Sequence, residues 1–462
     1  MPINSKHPLY EANEARWKRC RDAYDGEDAV KAAAQIYLPK IDPSQSDAEY
    51  QAYKKRAPYY DAVARTVDGF VGAISRKPHL INLPESIMSL KTKATSDQAT
   101  LDDFIKCLCR EILLMARGAI VVDMNDESQM PYLAFYPAEA ILNWGDGWVV
   151  LAETIYTGDA KDPFMRKATP QIRHLFLKDG FYNVEIWQTL KNPVGDYEWG
   201  VAARSVPTKR ATALGELPFF WISTAGNSAS VAKPPLLGLI NTSFSHYRSA
   251  ADLEHGRHFT ALPTLYLSGV ADDDEPISVG AGAVIKLADP AAKAGYAEFT
   301  GQGLQSLENA LSAKEQQMAM LGASIIAAGR KGVESAEAAR IRNAGENSLL
   351  LGVVSTIEQA LMAALTFAAS WVSVGDDDKI ALKINRDFVD QSLDAQEITG
   401  LLGAVQAGKL SLEDFLFSLQ QAEMLRPDLD IMAEAEKLRD ADKPGIRPGT
   451  ASAHKTPPVA VQ

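Results

Sequence analysis

Residues 236 to 325 impose the strongest constraint on the fold, because they read as a long helix, an extended punctuated segment and a second long helix. After Pro234-Pro235, the residues Leu236, Ile240, Phe244, Tyr247 and Ala251 recur on one helical face. The second half of the same pattern, "AADLEHGRHFTA", is mostly polar. At about 1.5 Å per residue this helix reaches roughly 40 Å, so it is expected to start in a core and project out of it. The returning helix carries Leu304, Leu307, Leu311, Lys314, Met318, Leu321 and Ile325 in alternating steps of three and four, a narrow seam suited to one neighbouring helix. A third helix, expected over about 335–373, repeats the alternation at Leu350, Val354, Ile357, Leu361, Ala364, Ala368 and Trp371. Stripes this narrow are too small for a monomeric bundle and point to packing between copies of the chain.

Upstream, residues 1 to about 118 read as helical. Tyr60, Val63, Val67, Phe70, Val71 and Ile74 keep helical spacing until "SRKP", and Leu101, Phe104, Ile105, Leu108, Ile112 and Met115 repeat it up to Gly118. From residue 119 the period changes to that of strands, in "AIVVDM", "YLAFYP", "WVVLAETIY", "QIRHLFLKDGFYNVEIWQTL" and "LPFFWIS". Asp179-Gly180 marks a tight hairpin, since both residues tolerate the positive φ of a two-residue turn. The strands form one β-rich region of about a hundred residues, an ordinary domain size. Shorter helices follow from about 390 to 440, and the Pro- and Gly-rich residues 441–462 read as a disordered tail.

The chemistry-bearing motifs are weak. "GAVQAGKL", Gly403 to Leu410, has phosphate-loop spacing up to its lysine, but Leu410 stands where a magnesium-binding hydroxyl belongs and no buried strand precedes it. A helix C-cap at Gly408, with Ser411 capping the next helix, explains the stretch better. Glu254, His255 and His258 share about one turn of helix, yet a zinc site needs a third or fourth ligand that no Cys pair or HExxH supplies. The acidic runs Asp272, Asp273, Asp274, Glu275 and 376–378 lack the spacing of a calcium loop. No nucleophile elbow occurs, so neither metal nor cofactor is expected and an enzyme is disfavoured. One local basic feature remains: Arg330-Lys331 between Gly329 and Gly332, in the break between two long helices, with Arg340 and Arg342 further along.

A formal net charge of −12 argues against a surface that coats nucleic acid generally, so any DNA contact must be local. Three cysteines, with Cys107 and Cys109 pointing apart on a helix, fit a reducing compartment without disulfides. "MPINSKHPLYEANEARWKRC" has no apolar core of the secretory kind, and no uninterrupted apolar run reaches about 18 residues. The chain is therefore expected to fold in cytoplasm, with no membrane partner.

The order of elements resembles the portal proteins, or head-to-tail connectors, of tailed bacteriophages. "PPLLGLINTSFSHYRSAADLEHGRHFTALPTLYLSG", "AGYAEFTGQGLQSLENALSAKEQQMAMLGASII" and "RAPYYDAVARTVDGFVGAISRKP" look like segments of one portal branch, long described only as a domain of unknown function. The resemblance runs from about Trp17 to about residue 435. It implies an α+β, mainly helical fold with wing, stem, clip and crown, and a homo-oligomeric ring, typically of twelve subunits, at one capsid vertex. Carried onto this chain, residues 1–235 are wing, 236–262 the first stem helix, 263–301 clip and 302–325 the second stem helix. Residues 326–336 are then the tunnel loop, 337–385 the long wing helix and 386–440 the crown. The implied partners are double-stranded DNA in the channel, the terminase large subunit, the major capsid or scaffold protein and a head-completion adaptor. The implied location is the virion, assembled in the cytoplasm of the host bacterium. Arg330 and Lys331 would face DNA, and the acids 272–275 would sit at or near the channel mouth. Two other classes compete: a different head-tail adaptor, and an enzyme with an unrecognised site.

Overall fold

The computed structural model of the chain describes residues 2–125, 128–158, 162, 164–191, 196–209, 211–260, 264–268, 291, 293–297, 302–323, 336–373, 380–388, 395–422, 424–426 and 428–441. Helices and sheets mix in an α+β architecture, and the backbone divides into two units, Met1–Phe388 and Val389–Gln462.

The first unit opens with four helices. In α1 (Pro8–Asp25) a proline occupies the first turn, where its missing N–H is not needed, and His7 Nδ1 accepts the Leu9 amide at 3.0 Å. Gly26, at φ 87°, turns the chain into α2 (Glu27–Ala32). Ser46 and Glu49 form a capping box on α3 (Asp47–Arg56). In α4 (Ala62–Ile74) the expected stripe of Val63, Val67, Phe70, Val71 and Ile74 is buried. Tyr60 departs from that expectation: it precedes the helix, is 43% exposed and lies against the His246 ring at 5.4 Å.

After β1 (Leu80–Asn82), Thr100 caps α5 (Leu101–Met115), whose expected apolar residues are all buried. The helix stops three residues before the expected Gly118, because Ala116 adopts a left-handed φ of 61° and delivers Arg117 directly into β2 (Arg117–Met124). Cys20 and Cys109 are buried free thiols, and burial pushes both up to about 12.

The strands of the β-rich region are arranged in two larger sheets and a small ribbon. β2 pairs with β3 (Pro131–Pro137) and, across a long connection, with β11 (Phe219–Ser223), in the order β11-β2-β3. Between them in sequence lies the antiparallel meander β4 (Ile141–Gly145), β5 (Trp148–Gly158), β6 (Arg166–Lys178), β7 (Phe181–Lys191) and β8 (Tyr197–Ser205). The β6–β7 turn is the expected Asp179-Gly180, with φ values of 52° and 79°. A small ribbon, β9 (Thr208–Lys209) and β10 (Thr212–Ala213), precedes β11. Arg117 is fully buried between the indoles of Trp144 and Trp221, 3.9 and 4.3 Å from the ring centres. Burial pushes its guanidinium down to about 10.

Two long helices follow, α6 (Leu237–Thr260) and α7 (Gln302–Met318), with the ribbon β12 (Thr264–Ser268) and β13 (Lys293–Ala297) between them. α8 (Ala336–Val372) then returns into the core, and β14 (Ala381–Lys383) pairs with β1. All seven residues of the α8 seam are buried, but so are Val353, Ala360, Leu365, Phe367 and Ala369. The stripe is therefore broad and covered within one chain. This removes α8 as a ground for expecting packing between copies. The segment Leu349–Val372 is long and apolar enough to cross a membrane by length and composition, with mean hydropathy 1.6. Its burial against β2, β11 and α5 accounts for that composition.

The second unit holds α9 (Ala395–Gln406), α10 (Leu412–Gln421) and α11 (Ile431–Ala441). Gly408 ends α9 at φ 67°, and Ser411 accepts the Asp414 amide at 3.0 Å. The amides of Ala407, Gly408, Lys409 and Leu410 all donate to carbonyls of α9, so they do not form a phosphate cradle.

Buried phenols give this fold a pH signature. Burial pushes Tyr10, Tyr59 and Tyr247 up to about 12, against about 10 in an unfolded chain. The folded state therefore retains protons that the unfolded state loses, and the stability these groups confer is complete below pH about 10 and disappears as pH rises towards about 12. A phenolate absorbance titration should show a group of tyrosines ionising late, together with loss of helical circular dichroism. All fifteen tyrosines titrating near 10 in a still-folded chain would contradict it.

Candidate functional site

The helical pair α6/α7 has two halves with different chemistry. Near its start, α6 buries Ile240, Phe244, Tyr247 and Ala251 in the main core, where Phe244 stacks on Tyr37 at 4.2 Å and Tyr247 meets Tyr59 edge-on at 5.8 Å. Farther along, Ala250, Leu253 and Leu311 form a separate small cluster, flanked by Leu304 and Leu307. The sequence expectation that this helix leaves the core partway along its length therefore holds.

Cross-contacts establish that the helices are antiparallel. Gly238 lies beside Leu321, His246 Nε2 meets Glu315 Oε1 at 3.2 Å, and Lys314 Nζ donates to Ser249 Oγ at 2.6 Å and to the Ser245 carbonyl at 3.0 Å. Gly256 faces Leu304, and Arg257 reaches Glu308 at 2.9 Å while also holding Glu254 at 2.8 Å. Lys314, the one polar residue of the expected seam, thus ties α7 to α6 through neutral acceptors. Burial and the nearby Arg248 lower its pKa. Past the helices, β12 and β13 pair antiparallel from Thr264↔Ala297 to Ser268↔Lys293.

The seam fails at Leu321, which is 43% exposed. The chain makes a π turn over Ala319–Ala323, whose extra residue turns Leu321 partly off the seam, and Ile325, the last residue of the expected seam, lies outside the described residues. Gly322 takes the inward place: a Cβ there would lie 2.6 Å from Thr66 Cγ2 and 2.9 Å from Leu239 Cδ2. Only glycine permits this approach of α7 to α4 and α6. The composition "MLGAS" contains the glycine but does not announce the π turn.

Of the candidate ligands, Glu254 is engaged by Arg257, and His255 lies edge-on to Tyr53 at 5.3 Å. Among the described residues no group of three His, Cys, Asp or Glu is placed to hold a metal. Arg330, Lys331, Asp272, Asp273, Asp274, Glu275 and the acidic run 376–378 lie outside the described residues. The feature that the described residues build is a helical lever rooted in a core, registered by polar rungs and ending in a β ribbon.

A family model described as Domain of unknown function (DUF4055) matches residues 235–372, the span from the start of α6 to the end of α8. No curated protein matches the chain. Among solved structures, it is similar to a chain in the virion of a native gene transfer agent particle, at 12% identity and TM-score 0.41, covering 82% of this chain and 93% of that one. It is also similar to a chain of the neck of the native particle computed with C12 symmetry, at 14% identity and TM-score 0.41, covering 84% and 97%. A chain in the neck of the empty particle computed with C6 symmetry gives 12% identity, TM-score 0.41, and coverage of 84% and 96%.

The packing at Gly322 can be tested against an internal control. Gly322→Ala should destabilise the chain by about 1–3 kcal/mol, because backbone or a β-branched neighbour must move to admit the methyl group. Gly352 lies exposed in α8 with nothing within 4 Å of its added Cβ, so Gly352→Ala should stabilise by about 0.5–1 kcal/mol. Thermal melts that move in the same direction for both would refute the close approach.

Proposed function

We propose that this chain is a phage portal protein, forming a ring at one capsid vertex around a channel for packaging and ejecting double-stranded DNA. The observation that carries the reading is the α6/α7 lever. Half of its length stands outside the main core on a satellite cluster of only a few apolar side chains, and its distal end is a two-stranded ribbon. A hairpin so thinly supported is a poor monomeric structure but a good stave in a barrel, where each pair is flanked by its neighbours. In this reading α6 and α7 are the stem, the β12/β13 ribbon belongs to the clip, and the first unit around α8 is the wing. The helices of the second unit are the crown. The ring docks the terminase large subunit, a capsid or scaffold protein and a head-completion adaptor, and performs no catalysis itself.

Charge fits that task. A channel wall rich in lysine would bind each passing phosphate and resist sliding, whereas an acidic chain lets DNA pass and leaves holding to a thin basic ring. Arg330 and Lys331 are assigned to that ring. In twelve copies they bring about two dozen positive charges to one duplex, where screened contacts add.

Negative-stain imaging and mass measurement of the purified full chain should find a high cyclic oligomer. A monomer at every concentration tested would defeat the proposal. The double variant Arg330→Ala/Lys331→Ala should leave ring yield and melting temperature nearly unchanged while altering packaging or genome retention. Wild-type packaging and retention by that variant, in low and high salt alike, would remove the tunnel-loop assignment without touching the ring.

A further inference from the structure

A closed ring needs two different, mutually complementary surfaces on every subunit, because each copy meets its neighbours head to tail. The first unit has such a pair on the two flanks of α1. On one flank, Lys18 and Arg19 of α1 and Arg248 of α6 line a concavity of about 520 Å³ floored by the stacked Tyr37 and Phe244. Asp22 engages Lys18 at 2.6 Å, but neither Arg19 nor Arg248 has an ion-pair partner among the described residues. Ile36, at the rim, is 70% exposed.

The other flank has the opposite balance. Arg21 is shared by Glu111 at 2.6 Å and Glu139 at 3.0 Å, so two carboxylates face one cation. These groups line a cleft of about 640 Å³ together with Glu153, which has its own cation in Arg173 at 3.9 Å. Burial raises the carboxyl pKa of Asp25, Asp22 and Glu139 add to that effect, and Arg21 and Lys18 oppose it. The two flanks therefore carry opposite excess charge on one rigid helix.

We infer that the basic concavity of one copy receives the acidic flank of the next, making α1 the axis of the subunit contact. This rests on the ring reading and adds to it the residues that join the copies. A protein partner fits the concavity better than a duplex does. The basic groups surround an exposed isoleucine, and a phosphodiester backbone brings no apolar group to cover it.

The test uses mass photometry of the full chain across concentration and salt. Arg19→Glu/Arg248→Glu should raise the concentration needed for half-assembly by roughly tenfold or more. Its circular dichroism melt should stay near wild type, because neither arginine makes an ion pair among the described residues. Asp25→Lys/Glu139→Lys should show the same defect, and an equal mixture of the two variants should recover rings, since alternating subunits restore every opposite-charge pairing. If wild type forms rings and Arg19→Glu/Arg248→Glu forms them at the same concentration, the inference fails while the ring reading stands. A mixture that stays unassembled overturns the pairing of these two flanks. Unchanged rings with weakened binding of a short fluorescent DNA duplex would reassign the concavity to nucleic acid.

Discussion

The apolar length of α8 is the constraint on which the first unit depends. From Leu349 to Val372 the helix carries far more apolar surface than an exposed helix can leave in water, and each buried leucine or valine contributes about 1.5–3 kcal/mol. The chain meets this by surrounding α8 with elements distant in sequence. Phe367 meets Phe220 of β11 edge-on at 5.8 Å, Trp371 Nε1 donates to the Thr208 carbonyl at 3.0 Å, and Asn227 Nδ2 donates to the Thr356 carbonyl at 3.1 Å. Glu358 accepts the Ile384 amide at 3.2 Å, which fixes the chain just beyond β14. The three-stranded sheet, α5 and α8 thus share one core, which the inner face of the five-stranded meander joins through Trp144, Leu151 and Leu175.

The α6/α7 pair is held together on different terms. Its proximal half shares the main core, whereas its distal half relies on a few leucines and on polar rungs such as Lys314 to Ser249 and Arg257 to Glu308. The exposed ion pair among them, Arg257 to Glu308, contributes about 0–1 kcal/mol. The rungs fix register and direction more than stability. The π turn at the base performs a similar service, setting how closely α7 approaches α4 through Gly322.

Arg117 illustrates how the two sheets are joined. It starts β2, yet its guanidinium lies between Trp144 of β4 and Trp221 of β11, and His7 stacks over Trp144 at 4.0 Å. Indole faces attract a cation, which offsets part of the cost of burying it without a hydrogen-bond partner among the described residues. The same positive charge, together with burial, lowers the His7 pKa. A junction of this kind pins the meander and the N-terminal segment to the central sheet, although Arg117 looks in the sequence like an ordinary residue at a helix end.

Local periodicity was enough to place α4, α5, α6 and α8, to find the Asp179-Gly180 turn, and to read Gly408 and Ser411 as caps rather than a phosphate loop. Each of these depends on contacts between residues a few positions apart, which the order of side chains specifies directly. The polarity change along α6 likewise declared a helix that leaves its core. The breadth of the α8 stripe was hidden, because a three-and-four alternation reads as a narrow seam until elements from both sides are known to cover it. The same is true of the split of the strands into two sheets, since β2 pairs with β11 across roughly a hundred residues. Tyr60, Leu321 and Arg117 were misjudged or unremarked for one reason: their surroundings come from distant segments, and the opposed charges on the flanks of α1 become surfaces only when α5, α6 and the meander pack beside it. The sequence by itself determined the elements and their local ends; tertiary structure alone decided which faces meet, because burial and charge pairing are properties of side chains brought together from far along the chain.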